Sequence, residues 1–338
     1  MARNEIDSWF WNVPTIEKEN QFFRGDIKWF QCGRHGLRTI AAELRRREVK
    51  SIALPSWCCE TMIMPFIKNG VSVNFYPVTV DAQGNFSQNL SNIQDWAMLV
   101  MDYFGFQAGD AHVPADYHGI VVRDTTHRPF TGGYNDAKYY VGSLRKWAGF
   151  WTGGYAMGQF SIDCNAIQHN ADYVEICKHA MELKEQYIDG KSDNKEEYLQ
   201  QYAQSEESHD GRLVYGATQR DIDCAKHLDV DLIFDRRRKN AQILIDGLKD
   251  ICVFKEIENI DCPLFVPIIV PDGRRDNLRQ YLTANDIYCP VHWSISSFHN
   301  LTDEERFVYE NELSLVCDQR YNTDDMQRIV DVVKEFLG

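Results

Sequence analysis

The sequence predicts an α/β fold with a mostly parallel sheet in a large domain, followed by a smaller α+β domain at the C-terminus. Apolar runs alternate with segments of helical periodicity from about residue 37 onward. Two of these runs, residues 97–102 and 119–124, are mainly apolar and end in an aspartate. Buried parallel strands that end at a functional edge have this pattern. The length of 338 residues accommodates both domains.

The N-terminal half is predicted to alternate strands and helices. Apolar residues recur at helical spacing in residues 37–49, which predicts the first helix. The apolar segment 62–67 lies between two predicted strands and is expected to be a second helix. Further strands are predicted over residues 51–54, 71–76, 138–142 and 155–160.

The C-terminal half begins with a polar, charged stretch from about residue 165 to residue 207, which is expected to cover the core. Residues 222–248 have the pattern of one long helix. This helix would join a large domain of residues 1–235 to a small domain of residues 236–338, on which the first twenty residues are expected to pack. Strands are predicted at 264–270 and 287–288, and helices at 276–285 and 323–336.

The charge and composition exclude several classes of partner. The chain has 36 Lys and Arg residues against 50 Asp and Glu residues, a net charge of −14. This acidic field repels nucleic acid and anionic membranes. No apolar stretch could cross a membrane and no leader pattern opens the chain, which predicts a soluble, cytoplasmic protein. The ten cysteines include no Cys-x-x-Cys pair, which favours reduced thiols and no metal site.

Asp124 ends one predicted strand, and Lys146 follows the next one 22 residues later. A buried lysine has a lowered pKa and a nucleophilic amine that can form a Schiff base. A carboxylate in an apolar strand needs a cationic partner, which a protonated pyridine nitrogen supplies. The pair therefore suggests a pyridoxal 5′-phosphate enzyme with Lys146 as the catalytic residue. A solvated lysine and a loop-capping aspartate are the ordinary alternatives.

Other residues could complete such a cofactor site. The segment Cys32-Gly33-Arg34-His35-Gly36 opens the first helix, whose N-terminus favours a phosphate, and Arg34 and Ser143 could bind the same anion. His127 could contact the phenolic oxygen of the ring or stack on its face, and Trp57 could lie over the ring. A plain helix start, a loop histidine and a core tryptophan explain these residues equally simply.

Two segments of the small domain could hold a carboxylate or hydroxyl group of a substrate. His292 and Trp293 follow a predicted strand, and Arg320 lies just before the last helix. Packing and helix capping are equally good explanations of both segments.

Taken in order, these segments resemble the DegT/DnrJ-type sugar aminotransferases, a family of fold type I pyridoxal phosphate enzymes, over most of the chain. Gly33-Arg34-His35-Gly36-Leu37 stands where the family has its Gly-Thr-x-Ala-Leu phosphate turn, and Leu54-Pro55-Ser56-Trp57 is similar to its Val-Pro-Ser-Tyr. Asp124-Thr125-Thr126-His127 resembles its cofactor motif, Asp-Ala-Ala followed by His or Gln. Ser143-Leu144-Arg145-Lys146 with Gly153-Gly154 resembles its Schiff-base lysine region. Near the C-terminus, Leu313-Ser314-Leu315 resembles Leu-Ser-Leu-Pro.

The chain departs from the family pattern at two places. Arg34 replaces the usual phosphate-binding threonine. The family's Gly-x-Asn-x-Arg stretch, which brings an asparagine of the partner subunit to the phosphate, has no clear counterpart, although residues 214–218 stand near its place.

The resemblance implies a fold type I aminotransferase that works as a homodimer with a shared active site. Lys146 would form the Schiff base and move the proton between substrate and cofactor. Asp124 would pair with the ring nitrogen, and His127 would tune the phenolic oxygen. An amino acid donor, with glutamate expected, would give its amino group to a keto sugar or a similar polar ketone.

Other functions stay open on the same residues. A pyridoxal phosphate dependent lyase or dehydratase would use the same scaffold, and a catalytically silent relative could serve as a binding subunit. The presence of both Asp124 and Lys146 argues against the silent relative. A nicotinamide enzyme is disfavoured because no Gly-x-Gly-x-x-Gly follows the early strands.

Overall fold

A computed structural model describes residues 4–132, 135–164, 167–207 and 213–338 of the chain. The strands in these residues are β1 (Ile27–Phe30), β2 (Ser51–Pro55), β3 (Ser72–Tyr76), β4 (Val78–Val80), β5 (Phe86–Gln88), β6 (Ala97–Met101), β7 (Ile120–Asp124), β8 (Tyr139–Ser143), β9 (Gly154–Met157), β10 (Phe265–Ile269) and β11 (Glu312–Val316). Seven of them form one sheet in the order β1-β9-β8-β7-β6-β2-β3, and the others form two small pairs, β4 with β5 and β10 with β11.

The central sheet is mostly parallel. Strands β3, β2, β6, β7 and β8 run in one direction, and β9 is antiparallel to both of its neighbours. Every residue of β6 and of β8 is buried, as the apolar composition of these runs requires when both faces of a sheet are covered. The predicted α/β class with a mostly parallel sheet is confirmed.

The register of the sheet brings the predicted cofactor strands to one edge. Met101 at the end of β6 is paired with Asp124 at the end of β7. Asp124 is in turn paired with Val141 of β8, two residues before that strand ends at Ser143. Side chains at and just beyond these ends therefore lie together at the carboxyl edge, where open parallel sheets bind their ligands.

Helices cover the sheet and build the C-terminal part. In the described residues they are α1 (Gly33–Arg46), α2 (Glu60–Lys68), α3 (Ala171–Ile188), α4 (Lys195–Glu207), α5 (Gln219–Lys226), α6 (Val230–Leu248), α7 (Arg275–Ala284), α8 (Asp303–Asn311) and α9 (Thr323–Leu337). Helix α1 is amphipathic: Ile40 and Leu44 are fully buried, whereas Arg45 and Arg46 are exposed. It packs closely on β8, because a Cβ added at Gly36 would lie 3.0 Å from Val141 Cγ2.

The charged stretch that the sequence predicts as a cover is an antiparallel helix pair, α3 and α4. Tyr187, Tyr198 and Tyr202 form an apolar cluster there that is separate from the main core. The pair therefore lies against the domain without forming its centre. Residues 165 and 166, where this stretch was expected to begin, lie outside the described residues.

Helix α6 runs without a break through residue 236, the expected domain boundary. Buried apolar residues on both sides of this position belong to one cluster, and the division into two domains stays a prediction. The N-terminal segment crosses to the C-terminal part, where Ile6 forms a β-bridge with Ile287 and the backbone N–H of Asp7 donates to the Tyr321 hydroxyl at 2.8 Å.

Two predicted elements are wrong. The single helix over residues 222–248 is two helices, α5 and α6. The chain turns between them because Leu228 is buried in a bridge with Thr15, and Asp229 then caps α6 by accepting a 3.0 Å bond from Leu232 N–H. The strand predicted at residues 287–288 is only the bridge of Ile287 to Ile6, since no described strand of the sheets lies beside it.

Several short elements were not predicted, namely β1, β4, β5, β11 and α8. Strands of three to five residues carry too few positions to establish a period. Helix α8 had a readable signal, because Thr302 and Glu305 form a capping box at its start.

No helix in the described part of the chain is long and apolar enough to cross a membrane. All ten cysteines lie among the described residues, and none of them forms a disulfide. Most are buried in apolar surroundings, as the scatter of cysteines through apolar segments predicts.

Candidate active site

A cleft of about 370 Å³ lies at the carboxyl edge of the central sheet. Met101, Asp124 and Ser143, the last residues of three neighbouring strands, line it together with Lys146. Its volume is in the range of pockets that enclose a cofactor or a small substrate. Most of the predicted site residues meet in this cleft.

Lys146 ends a short 3₁₀ turn, Leu144–Lys146, that directly follows β8. The turn is held at both ends: Leu144 N–H donates to Gly153 O at 2.8 Å, and Trp147 N–H donates to Leu144 O at 2.8 Å. The Trp147 indole N–H donates to Thr126 O at 2.8 Å, which ties the lysine turn to the loop after Asp124. The backbone therefore places the lysine and the aspartate in one rigid frame.

Burial acts on the two charges in opposite directions. It lowers the pKa of Lys146, so that more of the amine is neutral and nucleophilic. It raises the pKa of Asp124, although a hydrogen bond from Thr126 and the charge of Lys146 act the other way. Thr126 N–H donates to Asp124 Oδ1 at 2.8 Å. Asp124 is thus a buried carboxyl group that a further cation would stabilise.

His127 lies beside this pair with one imidazole nitrogen unused. Phe104 N–H donates to His127 Nδ1 at 3.3 Å, so the ring proton is on Nε2. Nε2 is buried and has no hydrogen-bond partner among the described residues. Burial and the neighbouring Lys146 lower the pKa of His127 well below its usual value, which keeps the ring neutral. His127 Nε2–H is therefore a neutral donor that can form a hydrogen bond with an acceptor atom of a bound ligand.

The N-terminus of α1 reaches the cleft through Gly33 and Arg34. The helix start lies against the end of β8, because a Cβ added at Gly33 would be in van der Waals contact, 3.4 Å from both Gly142 O and Ser143 Cβ. The N-terminus of a helix attracts anions through its backbone N–H groups and its dipole. Ser143 lines the cleft at the same end.

His292 and Trp293 of the C-terminal part close the cleft on another side. The Trp293 ring stacks on His127, with centroids 5.8 Å apart and planes 25° apart. The same ring lies 6.0 Å from Lys146 Nζ. An aromatic wall therefore stands next to the lysine and the histidine.

Three predicted site residues do not line the cleft. Trp57 is fully buried, stacks on Tyr103 and donates its indole N–H to His292 O at 2.5 Å, which makes it a support behind the cleft. His35 is buried on α1 and accepts a 3.1 Å bond from Tyr215 N–H at Nδ1.

Arg320 is the third residue outside the cleft. Its guanidinium binds the Asp318 carboxylate, with Nε to Oδ1 at 2.9 Å, and donates to Trp9 O at 2.6 Å. It also stacks on Phe10, 4.2 Å from the ring centroid. Because Trp9 and Phe10 line the cleft, Arg320 holds the N-terminal segment at the cleft rather than facing it.

Several residues of the cleft wall were not singled out from the sequence. Arg145, next to Lys146, forms an ion pair with Glu206 of α4. Tyr202 of α4 stacks on Trp9, with centroids 4.4 Å apart. Trp9, Arg145, Tyr202 and Glu206 all line the cleft. No local signal marks Glu206 or Tyr202, because α4 meets the lysine turn only through the tertiary fold.

No protein-family model matches the chain, and neither does any curated protein sequence. Solved structures do match. PseC from Helicobacter pylori, an aminotransferase of pseudoaminic acid biosynthesis, is 14% identical, with a TM-score of 0.63 over 97% of this chain and 99% of PseC. A DegT DnrJ EryC1 StrS aminotransferase from Brucella abortus is 15% identical, with a TM-score of 0.55 over 94% of this chain and 87% of that chain.

A third similar structure is Spr1654 from Streptococcus pneumoniae, solved in a PLP form. It is 13% identical, with a TM-score of 0.61 over 92% of this chain and 88% of that chain. The similarity extends over nearly the whole of each protein although few residues are identical. The chain therefore has the fold of the sugar aminotransferases of known structure.

Proposed function

We propose that the chain is a pyridoxal phosphate dependent aminotransferase. It would move an amino group from an amino acid, with glutamate as the first candidate, to a keto sugar or a similar polar ketone through a Schiff base at Lys146. The observation that carries this proposal is the meeting of Lys146, Asp124 and His127 in one cleft, in a chain with the fold of sugar aminotransferases.

The residues of the cleft fit the cofactor. A pyridinium nitrogen would supply the cation that buried Asp124 needs. The phenolic oxygen would accept the proton of His127 Nε2, which has no partner among the described residues. The phosphate would lie against the N-terminus of α1, with Arg34 and Ser143 beside it. Each of these polar groups has a complement on pyridoxal phosphate.

When bound, pyridoxal phosphate supplies an electron-withdrawing ring that stabilises negative charge on the substrate carbon. The chain's own residues would do the rest. Lys146, buried and with a lowered pKa, offers a neutral amine that can act as nucleophile and then take up or return a proton. Asp124 would hold the ring nitrogen in its protonated form, and the Trp293 ring, 6.0 Å from Lys146 Nζ, would form an aromatic wall beside the lysine.

An absorbance titration tests this proposal. Added pyridoxal phosphate is expected to give the wild-type protein a visible absorbance band that borohydride removes, because reduction fixes the cofactor to Lys146. The K146A variant should show neither the band nor the fixed cofactor. K195A is the control, since Lys195 is ion-paired with Glu5 away from the cleft, and it should behave as wild type. A wild-type protein that stays colourless with added cofactor would refute the proposal.

Incubation with glutamate distinguishes transfer from elimination. A transaminase converts the bound cofactor to its amine form and releases 2-oxoglutarate without a second substrate. The loaded enzyme should then aminate a member of a panel of keto sugars and keto acids, and mass spectrometry would identify the product. Release of ammonia or water from the donor would indicate a lyase or dehydratase instead.

We further propose that two copies of the chain share the active site, as the resemblance to the aminotransferase family suggests. One chain has a mass of 39.3 kDa. Light scattering during gel filtration is expected to give twice this mass for the cofactor-loaded protein. A mass equal to one chain would overturn this part of the proposal.

A further inference from the structure

A buried chain of three polar side chains lies directly behind the cleft. Glu312 and Ser314 stand on β11, and His292 faces them from the segment that lines the cleft. His292 Nδ1 lies 2.8 Å from Ser314 Oγ. Ser314 Oγ is hydrogen-bonded in turn to Glu312 Oε1. The other carboxyl oxygen, Glu312 Oε2, accepts a 2.8 Å bond from the backbone N–H of His292.

The surroundings of the Glu312 carboxyl group favour its protonated form. Its side chain is fully buried, and burial raises its pKa to about 8, although Ser314, the His292 N–H and Arg275 act in the other direction. Arg275 of α7 contacts the strand through Glu312 O at 3.1 Å. Cys289 also faces the carboxyl group. We therefore expect the Glu312 carboxyl group to pass from its protonated to its ionised form at a pH of about 8.

His292 itself stays neutral over this range. Lys146 and His127 face it across the cleft, with the two imidazole centroids 5.8 Å apart. Burial and the charge of Lys146 lower the pKa of His292 well below its usual value. The ring therefore carries one proton, on either Nδ1 or Nε2.

The hydrogen bonds leave only two arrangements of protons. Since Oε2 accepts from a backbone N–H, a proton on Glu312 sits on Oε1 and is donated to Ser314 Oγ. Ser314 then donates to His292 Nδ1, and the ring proton is on Nε2. When Glu312 is ionised, Ser314 donates to Oε1 instead, so Nδ1 must donate to Ser314 and Nε2 has a lone pair. The protonation state of Glu312 thus sets whether His292 Nε2 is a hydrogen-bond donor or an acceptor.

We propose that Glu312 and Ser314 are positioning residues that set the tautomer of His292, so that His292 presents an Nε2–H donor to an oxygen of the substrate. This role rests on the proposed function for the identity of the substrate, a ketone or a hydroxyl-bearing sugar. Among the described residues, none hydrogen-bonds His292 Nε2. An N–H donor at this point would bind and orient a carbonyl or hydroxyl oxygen near Lys146.

Nitrogen NMR of the full chain labelled with ¹⁵N-histidine tests the tautomer directly, because protonated and unprotonated ring nitrogens have well-separated shifts. The signal of His292 is assigned by its loss in H292Q. In wild type it should report Nε2–H at pH 6 and Nδ1–H at high pH, with a midpoint of about 8. A tautomer that does not change with pH would overturn the proposal.

Two variants distinguish control of the His292 tautomer from a purely structural role of Glu312 and Ser314. In E312Q the amide oxygen accepts from the His292 N–H, so the amide N–H must donate to Ser314, and His292 should hold the Nε2–H form at every pH. In S314A the link is cut, and the midpoint of about 8 should disappear. T39V, which removes a buried hydroxyl bond on α1, is the matched control and should titrate as wild type.

Kinetics of the cofactor-loaded enzyme then connect the tautomer to the substrate. E312Q should keep the KM for the ketone near the wild-type value at pH 7, whereas S314A should raise it about tenfold, the effect of one neutral hydrogen bond. The cofactor absorbance should be the same in all three proteins. An unchanged KM in S314A would refute the substrate contact. A protein without the absorbance band would instead refute the proposed function and leave the NMR result standing.

Discussion

The difference in free energy of unfolding between the Glu312→Gln variant and wild type is expected to shift in favour of the variant as the pH rises. Burial raises the pKa of Glu312 from 4.5 to about 8 in the folded protein. Between these values the folded state keeps the proton and the unfolded chain loses it, so the free energy of unfolding of wild type falls with increasing pH. The slope is about 1.4 kcal/mol per pH unit. The wild type should therefore lose about 3 kcal/mol relative to E312Q between pH 5 and pH 7.5.

Urea unfolding at several pH values, followed by tryptophan fluorescence, measures this difference. The comparison of two proteins that differ at one residue removes the contribution of the other titrating groups. E310Q is the matched control, because Glu310 lies exposed on α8, and it should follow the wild type at every pH. A difference between wild type and E312Q that stays constant with pH would show that Glu312 is ionised throughout, and the reasoning about its burial would be wrong.

Four further substitutions test the site and its frame. D124N should weaken pyridoxal phosphate binding by about ten- to a hundredfold in an absorbance titration, since a neutral amide cannot pair with the ring cation; an unchanged affinity would contradict this. G154A should cost about 3 kcal/mol or more in a thermal unfolding experiment, because the new Cβ would lie 2.1 Å from the carbonyl carbon of Cys32. G33A, with its nearest atoms at 3.4 Å, should unfold close to wild type. D221A should lower the free energy of unfolding by about 3 kcal/mol, since the carboxylate accepts three buried threonine hydrogen bonds; a loss below about 1 kcal/mol would contradict the role of this network.

Much of the site could be predicted because its residues follow strand ends. Asp124 ends β7 and Lys146 follows β8, and neighbouring parallel strands end at the same edge of a sheet. Two local features were therefore enough to bring the pair together. The glycine at the start of α1 was found for the same reason, because a helix N-terminus after a strand is a local feature.

Trp57 and Arg320 lie outside the cleft because each of them binds residues that are distant in sequence. Trp57 follows a strand as expected, yet it packs behind the cleft because His292 O, 235 residues later, binds its indole N–H. Arg320 carries a charge suited to a substrate, but the carboxylate of Asp7 and the backbone of the N-terminal segment bind it. Such competition for a side chain leaves no trace in the residues next to it.

The sequence by itself determined the α/β class, the mostly parallel sheet and the position of Lys146 and Asp124 at its edge, because apolar periodicity and strand ends are local properties. Only the tertiary structure decided which polar groups share the cleft. The pairing of Arg145 with Glu206 and the chain from Glu312 through Ser314 to His292 join elements far apart in sequence. The physical reason is burial: the pKa of a group and the direction of its hydrogen bonds depend on neighbours that folding alone assembles.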